Sequence, residues 1–155
     1  MKNSRLFAAI LLFTGLAFSG CEKDDGGRLP LPPTDITINP NSTIYQELNV
    51  VGGWLYLGTQ DGVEPPSRGI IVYRLSNEQF MAYERTPPFK PDSCCNVSQT
   101  VCSSLVVDNN YPFVMDTCTQ SKYLILDGSP VSGPSTMTLS MYVTEYVQGW
   151  LYIHD

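Results

Sequence analysis

Five cysteines and one histidine hold most of the reactive side chains of this 155-residue sequence: Cys21, Cys94, Cys95, Cys102, Cys118 and His154. Beyond Cys21 the cysteines number four, and an even count in an exported chain points to disulfides, with three possible pairings. A direct Cys94 to Cys95 bridge needs a strained vicinal ring, so two patterns remain, in which each of that pair joins Cys102 or Cys118. The sharper alternative is a four-cysteine zinc or iron site, where two ligands converge from one turn as CxxC to CxxxxC pairs. Here the gaps between successive cysteines are zero, six and fifteen residues, which fits disulfides and no metal. His154 sits in a terminal His-Asp pair with no nucleophile motif nearby, so it reads as a solvated chain end rather than part of a triad. Asp92, Asp108, Asp116 and Asp127 fall at turns or strand ends, where carboxylates cap backbone amides. Neither a glycine-rich phosphate loop nor HExxH occurs, and no catalytic residue is expected.

The first twenty residues read as a targeting segment. Lys2 and Arg5 lead an uncharged run from Leu6 to Phe18, with Ser19 and Gly20 just before Cys21. At ~1.5 Å per residue that run covers roughly 20 Å, short of the ~30 Å hydrocarbon core, so it suits a cleaved signal and not a membrane span. AFSGC resembles the lipobox of bacterial lipoproteins, which makes Cys21 the expected lipidation site and residue 1 of the mature chain. With more than one acyl chain, at ~0.8 kcal/mol per buried CH₂, such an anchor is stable. The acidic EKDDGG and the proline-rich RLPLPPTDITINP then read as an extended tether over residues 21–42, ahead of a domain at 43–155. Lys23, Asp24 and Asp25 also resemble the surface-export signal of Bacteroidetes lipoproteins, which implies the outer membrane, with the cell surface favoured over the periplasmic face. Without Lys2 and Arg5, seven basic residues remain against fifteen acidic ones, a net charge of about −8. That balance excludes nucleic acid and anionic lipid headgroups as partners, since both require a basic face.

The elements that must position the cysteines read as strands. From residue 43 onward, β-branched and aromatic residues alternate and turn residues recur every 8 to 12 positions, which predicts an all-β sandwich or barrel without helix. Expected strands are STIYQELNV, WLYLGT, GIIVYRL, QFMAYERT, SLVVD, YPFVMD, SKYLILD, MTLSMYVTEYV and WLYIHD. In GIIVYRL, Gly69, Ile71, Tyr73 and Leu75 share one face and Ile70, Val72 and Arg74 the other, so this strand is expected to be central. MTLSMYVTEYV does not keep a period of two from Leu139 onward, which predicts a bulge near Glu145. Tyr56, Tyr73, Tyr83 and Tyr142 lie within strands and are expected in the core; Tyr111, Trp150 and Tyr152 are the surface aromatics.

GIIVYRLSNEQFMAYERTPPF and CTQSKYLILDGSPVSGPSTMTLSMYVTEYVQGWLYI resemble the two halves of a Rieske domain, the small β fold that carries a two-iron, two-sulfur cluster. The likeness spans residues 44–155 and is most specific at SKYLILDGSPVSGP. The family's ligand loops read Cys-X-His and Cys-X-X-His. Aligned on YERTPPF, Pro87 stands at the first Cys and Phe89 at the first His. Aligned on Ser121 and Tyr123, Asp116 stands at the second Cys, Thr119 at the second His and Gln120 at the following Gly. The resemblance places Cys118 on a non-ligand cysteine that in some members bridges the two loops. A two-histidine centre is also excluded by counting, because His154 is the sole histidine. The expectation is therefore a lipid-anchored envelope protein with a Rieske-like domain that holds no cluster and is not an enzyme. A bridge from Cys94 or Cys95 to Cys118 would occupy the cluster's place, and closing a loop of that size is worth roughly 3 kcal/mol in the chain-entropy model. The alternatives are a redox protein working through a labile Cys118 disulfide, or an accessory surface lipoprotein that binds a glycan or a protein.

Overall fold

The structure, a computed structural model, describes residues 30–155. The expected signal segment, Cys21 and the surface-export residues lie outside the described residues. In chain order the strands are β1 Asp35–Ile38, β2 Trp54–Leu57, β3 Ile70–Arg74, β4 Phe80–Glu84, β5 Val106–Val107, β6 Phe113–Met115, β7 Lys122–Leu124, β8 Pro130–Ser132, β9 Met141–Val147 and β10 Trp150–His154. They form two antiparallel sheets. One has six strands in the order β1-β10-β9-β4-β3-β2, and the other has four in the order β5-β6-β7-β8. The expected all-β antiparallel fold is thus what the chain adopts. The four-stranded sheet is inserted in sequence between β4 and β9.

β3 explains the layering. All five of its residues are buried, and their alternation splits between two cores. Ile70 and Val72 join a cluster inside the six-stranded sheet with Ile36, Leu57, Tyr142 and Ile153. Ile71 and Tyr73 face the four-stranded sheet and pack with Tyr83, Leu105, Val114 and Tyr123. Its one charge, Arg74, is buried but satisfied. Nη1 donates to Leu48 O at 2.8 Å and to Asn41 Oδ1 at 3.0 Å, and Nη2 donates to Asn77 O at 2.9 Å.

Three expectations are corrected. First, the tether does not run to residue 42: Asp35–Ile38 is an edge strand whose Ile36 and Ile38 pair with Ile153 and Leu151 of β10 and enter the core. Prolines at 30, 32 and 33 hide a four-residue alternation that has a partner only in the folded chain. Second, STIYQELNV is not a strand. Thr43–Asn49 is 3-10 helical with a kink at Tyr45, and Tyr45 and Leu48 face the core. A second short 3-10 helix spans Thr59–Asp61. Third, no bulge interrupts β9 near Glu145, because its register with β10 runs unbroken from Trp150 opposite Val147 to His154 opposite Val143. Leu139 precedes the strand; from Met141 onward the period of two holds. The irregularity lies instead between Lys122 and Tyr123, where β7 meets β8.

Candidate functional site

The site starts at the end of β4. Glu84 is buried, and its carboxylate collects five donors. Arg68 N at 3.0 Å, Thr86 N at 2.8 Å and Thr86 Oγ1 at 2.7 Å reach Oε1; Ser67 Oγ at 2.6 Å and Tyr142 OH at 2.8 Å reach Oε2. A buried carboxylate is tolerated only with partners of this number and kind. Burial, ahead of the neighbouring Glu84, pushes the Tyr142 hydroxyl well above its ordinary pKa. Glu84 thereby fixes where the chain leaves the sheet into the first loop, which carries Pro87, Phe89, Cys94, Cys95 and Cys102.

Arg68 holds that loop from outside. Nη1 donates to Pro91 O at 2.8 Å and Ser103 O at 2.9 Å, and Nη2 pairs with Asp92 at 3.0 Å and approaches Cys95 Sγ at 3.8 Å. Both ends of the 91–103 segment are therefore tied to one planar guanidinium. Inside it, Asn96 accepts from Thr100 N at 2.8 Å, and Asn96 N donates to Val101 O at 2.8 Å. The Cys95–Cys102 disulfide lies between these two sets of bonds. Asp92, Cys95 and Cys102 form, among the described residues, the one group close enough to share a metal ion. Two of the three are joined in a disulfide, and a metal ligand must be a thiolate.

The second loop follows β6. Asp116 is fully buried; Oδ1 accepts from Cys118 N at 2.9 Å and Oδ2 from Thr119 Oγ1 at 2.6 Å. Thr119 Oγ1 also lies 2.9 Å from Ser121 Oγ, which accepts from Ser135 N at 3.2 Å. Gly133 makes this crossing possible. Its φ is +93°, and a Cβ there would stand 2.5 Å from Ser121 Cα. Cys94–Cys118 then joins the second loop to the first, and Ser93 Oγ lies 3.2 Å from Cys118 Sγ.

The four positions aligned with cluster ligands now have definite surroundings. Pro87 is buried and Phe89 half-buried, with the Lys90 ammonium 5.2 Å from the Phe89 ring centre; Asp116 and Thr119 bond to each other. All four disulfide candidates are paired, in one of the two patterns left open by the sequence. Asp108, Asp116 and Asp127 cap backbone amides as expected, whereas Asp92 takes Arg68. His154 ends β10 with Asp155 O as its neighbour at 3.4 Å. Tyr83 OH is buried without a partner and Tyr123 OH is buried beside Ser121 and Ser135, and burial raises the pKa of both. The first loop also walls a cavity of about 270 Å³ between Pro32, Pro66, Arg68, Glu84, Pro87 and Asp92.

Among the surface aromatics, Trp150 and Tyr152 share the outer face of β10. Tyr111 stands three strands away, where its hydroxyl bonds Tyr73 OH at 3.1 Å, so the three make no common platform. That contact and burial, the larger effect, raise the Tyr73 pKa to about 12. Sequence reasoning missed Arg68, which lies in no motif and acts on residues distant in the chain, and Glu84, which stands in YERTPPF without a role there and gathers donors from Ser67, Arg68 and Tyr142.

No family model matches this chain, and no curated protein matches it. Among solved structures it is similar to a chain of the complex of reduced oxygenase and oxidized ferredoxin in carbazole 1,9a-dioxygenase, at 17% identity and a TM-score of 0.44. The match covers 79% of this chain and 92% of that one.

Proposed function

We propose that this chain is a lipid-anchored envelope protein whose Rieske-like domain holds no iron-sulfur cluster and serves a non-catalytic binding or structural role. The observation that carries the reading is the closed state of the two loops. Asp116 and Thr119, at two of the aligned ligand positions, spend their polar atoms on each other and on the loop backbone. Pro87 and Phe89, at the other two, offer no side-chain donor atom, and Cys94–Cys118 already joins the loops. A two-iron, two-sulfur cluster needs four thiolate or imidazole ligands at that place, so the residues present do not fit it. The anchor at Cys21 and the cell-surface location rest on AFSGC and on Lys23, Asp24 and Asp25 alone.

The test is anaerobic reconstitution of the purified chain with iron and sulfide. The expected product carries no iron and no visible thiolate-to-iron absorbance; stoichiometric iron overturns the reading. A second reading, a disulfide redox protein, is favoured by the exposure of Cys94 and by Ser93 Oγ beside the Cys118 sulfur. Its discriminating measurement is the reduction potential of Cys94–Cys118, since a value below about −300 mV marks a structural bridge.

A further inference from the structure

The two sheets have four edge strands, and three of them are guarded. β1 follows prolines 30, 32 and 33 and begins with Asp35; β5 is two residues long; β8 starts at Pro130. Short strands, charges and prolines are how sheet edges avoid pairing with other chains. β2, with the sequence WLYL, has none of these.

The register shows what its edge offers. Arg74 N donates to Gly53 O at 2.9 Å, which sets the phase of the β2–β3 ladder. Leu55 opposite Val72 and Leu57 opposite Ile70 are then the hydrogen-bonded pairs, and Trp54 opposite Tyr73 and Tyr56 opposite Ile71 are not. The N–H and C=O groups of Trp54 and Tyr56 point away from β3, toward a side where no strand lies among the described residues. They are spaced by two residues, about 7 Å, the repeat of an extended chain.

That edge is the floor of an open groove of about 770 Å³. The 3-10 segment at Thr43–Asn49 forms one bank with Ile44 and Glu47, and the helix at Thr59–Asp61 the other with Gln60; between them Tyr45 OH donates to Asp61 Oδ1 at 3.4 Å, and Asp61 also accepts from Gly58 N at 2.9 Å and Gln60 Nε2 at 2.7 Å. Gly53 allows the first bank to come this close, since a Cβ there would strike Glu47 O. Glu47 is exposed and in no salt bridge, and no basic side chain lines the groove among the described residues.

We propose that the β2 edge binds an extended, cationic peptide segment of another protein as an added strand. The outward backbone groups of Trp54 and Tyr56 supply the ladder, as in other strand-addition sites, and the exposed Glu47 selects basic side chains, with the Asp61 carboxylate adding its charge from within its own hydrogen bonds. A second copy of this chain is disfavoured, because edge-to-edge pairing would bring Glu47 and Asp61 toward their own images in a chain of net charge −6. The proposal deepens the binding reading above, and its failure leaves the iron test of that reading untouched.

The experiment uses the full chain in detergent with Trp150→Phe, which makes Trp54 the sole tryptophan. The probe is an end-capped decapeptide of alternating valine and lysine. Saturable change in Trp54 emission is expected, with slowed amide exchange at Trp54 and Tyr56. Replacing the peptide's lysines by glutamate, methylating its alternate backbone nitrogens, or introducing Glu47→Lys into the protein should each weaken binding about tenfold or more. Three results overturn the proposal: no saturable change, equal binding of the glutamate peptide, or an equal response to neutral maltoheptaose with the peptide silent. A fourth is protection of the Trp54 and Tyr56 amides that rises with protein concentration alone, which assigns the edge to a second copy.

Discussion

Asp108 and Asp116 are both turn carboxylates, yet they do different things. Asp116 is sealed inside the second loop and satisfies Cys118 N and Thr119 Oγ1, whereas Asp108 reaches out of its turn to Lys122 Nζ at 2.9 Å and accepts Asn110 N at 3.1 Å. The Lys122 contact, followed by the amide of Asn110, holds the Asp108 carboxyl below its ordinary pKa. A depressed folded-state pKa gives stability that is present above the unfolded value of about 3.9 and lost as pH falls through the folded value. Asp108→Asn should therefore be less stable than the parent at pH 7, and the gap should close as pH falls below about 4. Urea unfolding at stepped pH measures it, and a gap that stays constant down to pH 2 contradicts the pairing. Asp127, lowered by Ser129, keeps the same sign in both proteins and leaves a common acid slope. Turn carboxylates of this kind are legible in sequence because the partner amide is two residues away. Arg68 is not, because Pro91 and Ser103 lie 23 and 35 residues along the chain.

Legibility at the scale of elements follows the same division. The GIIVYRL stretch announces a central strand because both of its alternating faces are apolar, and both are buried. Thr43–Asn49 misleads because a single buried residue, Leu48, leaves little to distinguish a period of three from a period of two. The disulfides were legible as a set, and their pairing needed the loops. Cys94–Cys118 closes a separation of 24 residues and Cys95–Cys102 one of 7. Chain entropy alone gives roughly 3.5 and roughly 2.5 kcal/mol for the two. The difference should widen in practice, since Arg68 and Asn96 already close the shorter loop, whereas no salt bridge spans the two loops that Cys94–Cys118 joins. The Cys94→Ser/Cys118→Ser variant is thus expected to lose about 3 kcal/mol, and Cys95→Ser/Cys102→Ser under about 2. Equilibrium denaturation of the two double variants decides this, and the reverse order would mean that Arg68 is not what holds the 91–103 segment.

The whole molecule is two cores on opposite faces of the strands β2, β3 and β4, and its integrity depends on the piece least visible in the sequence. β1 closes the six-stranded sheet along β10, and without it Leu151 and Ile153 would pair with nothing on that side. The chain from Pro30 onward is already engaged: Leu31 packs on the first core and Thr34 N donates to Asp155 Oδ1 at 3.1 Å. A tether and an edge strand make opposite predictions for the same two side chains. If residues 35–38 were solvated spacer, Ile36→Ala/Ile38→Ala would leave stability within about 0.5 kcal/mol of the parent, as surface changes do. Ile36 and Ile38 are only 4% and 3% exposed, and truncating a buried isoleucine costs about 2–5 kcal/mol. Edge strands relax more than central ones, so the lower end of that range applies to each side chain. The double variant should therefore lose about 4 kcal/mol, read as a fall in the urea midpoint with little change in slope. A loss under 1 kcal/mol would return these residues to the tether and move the start of the domain back to residue 43.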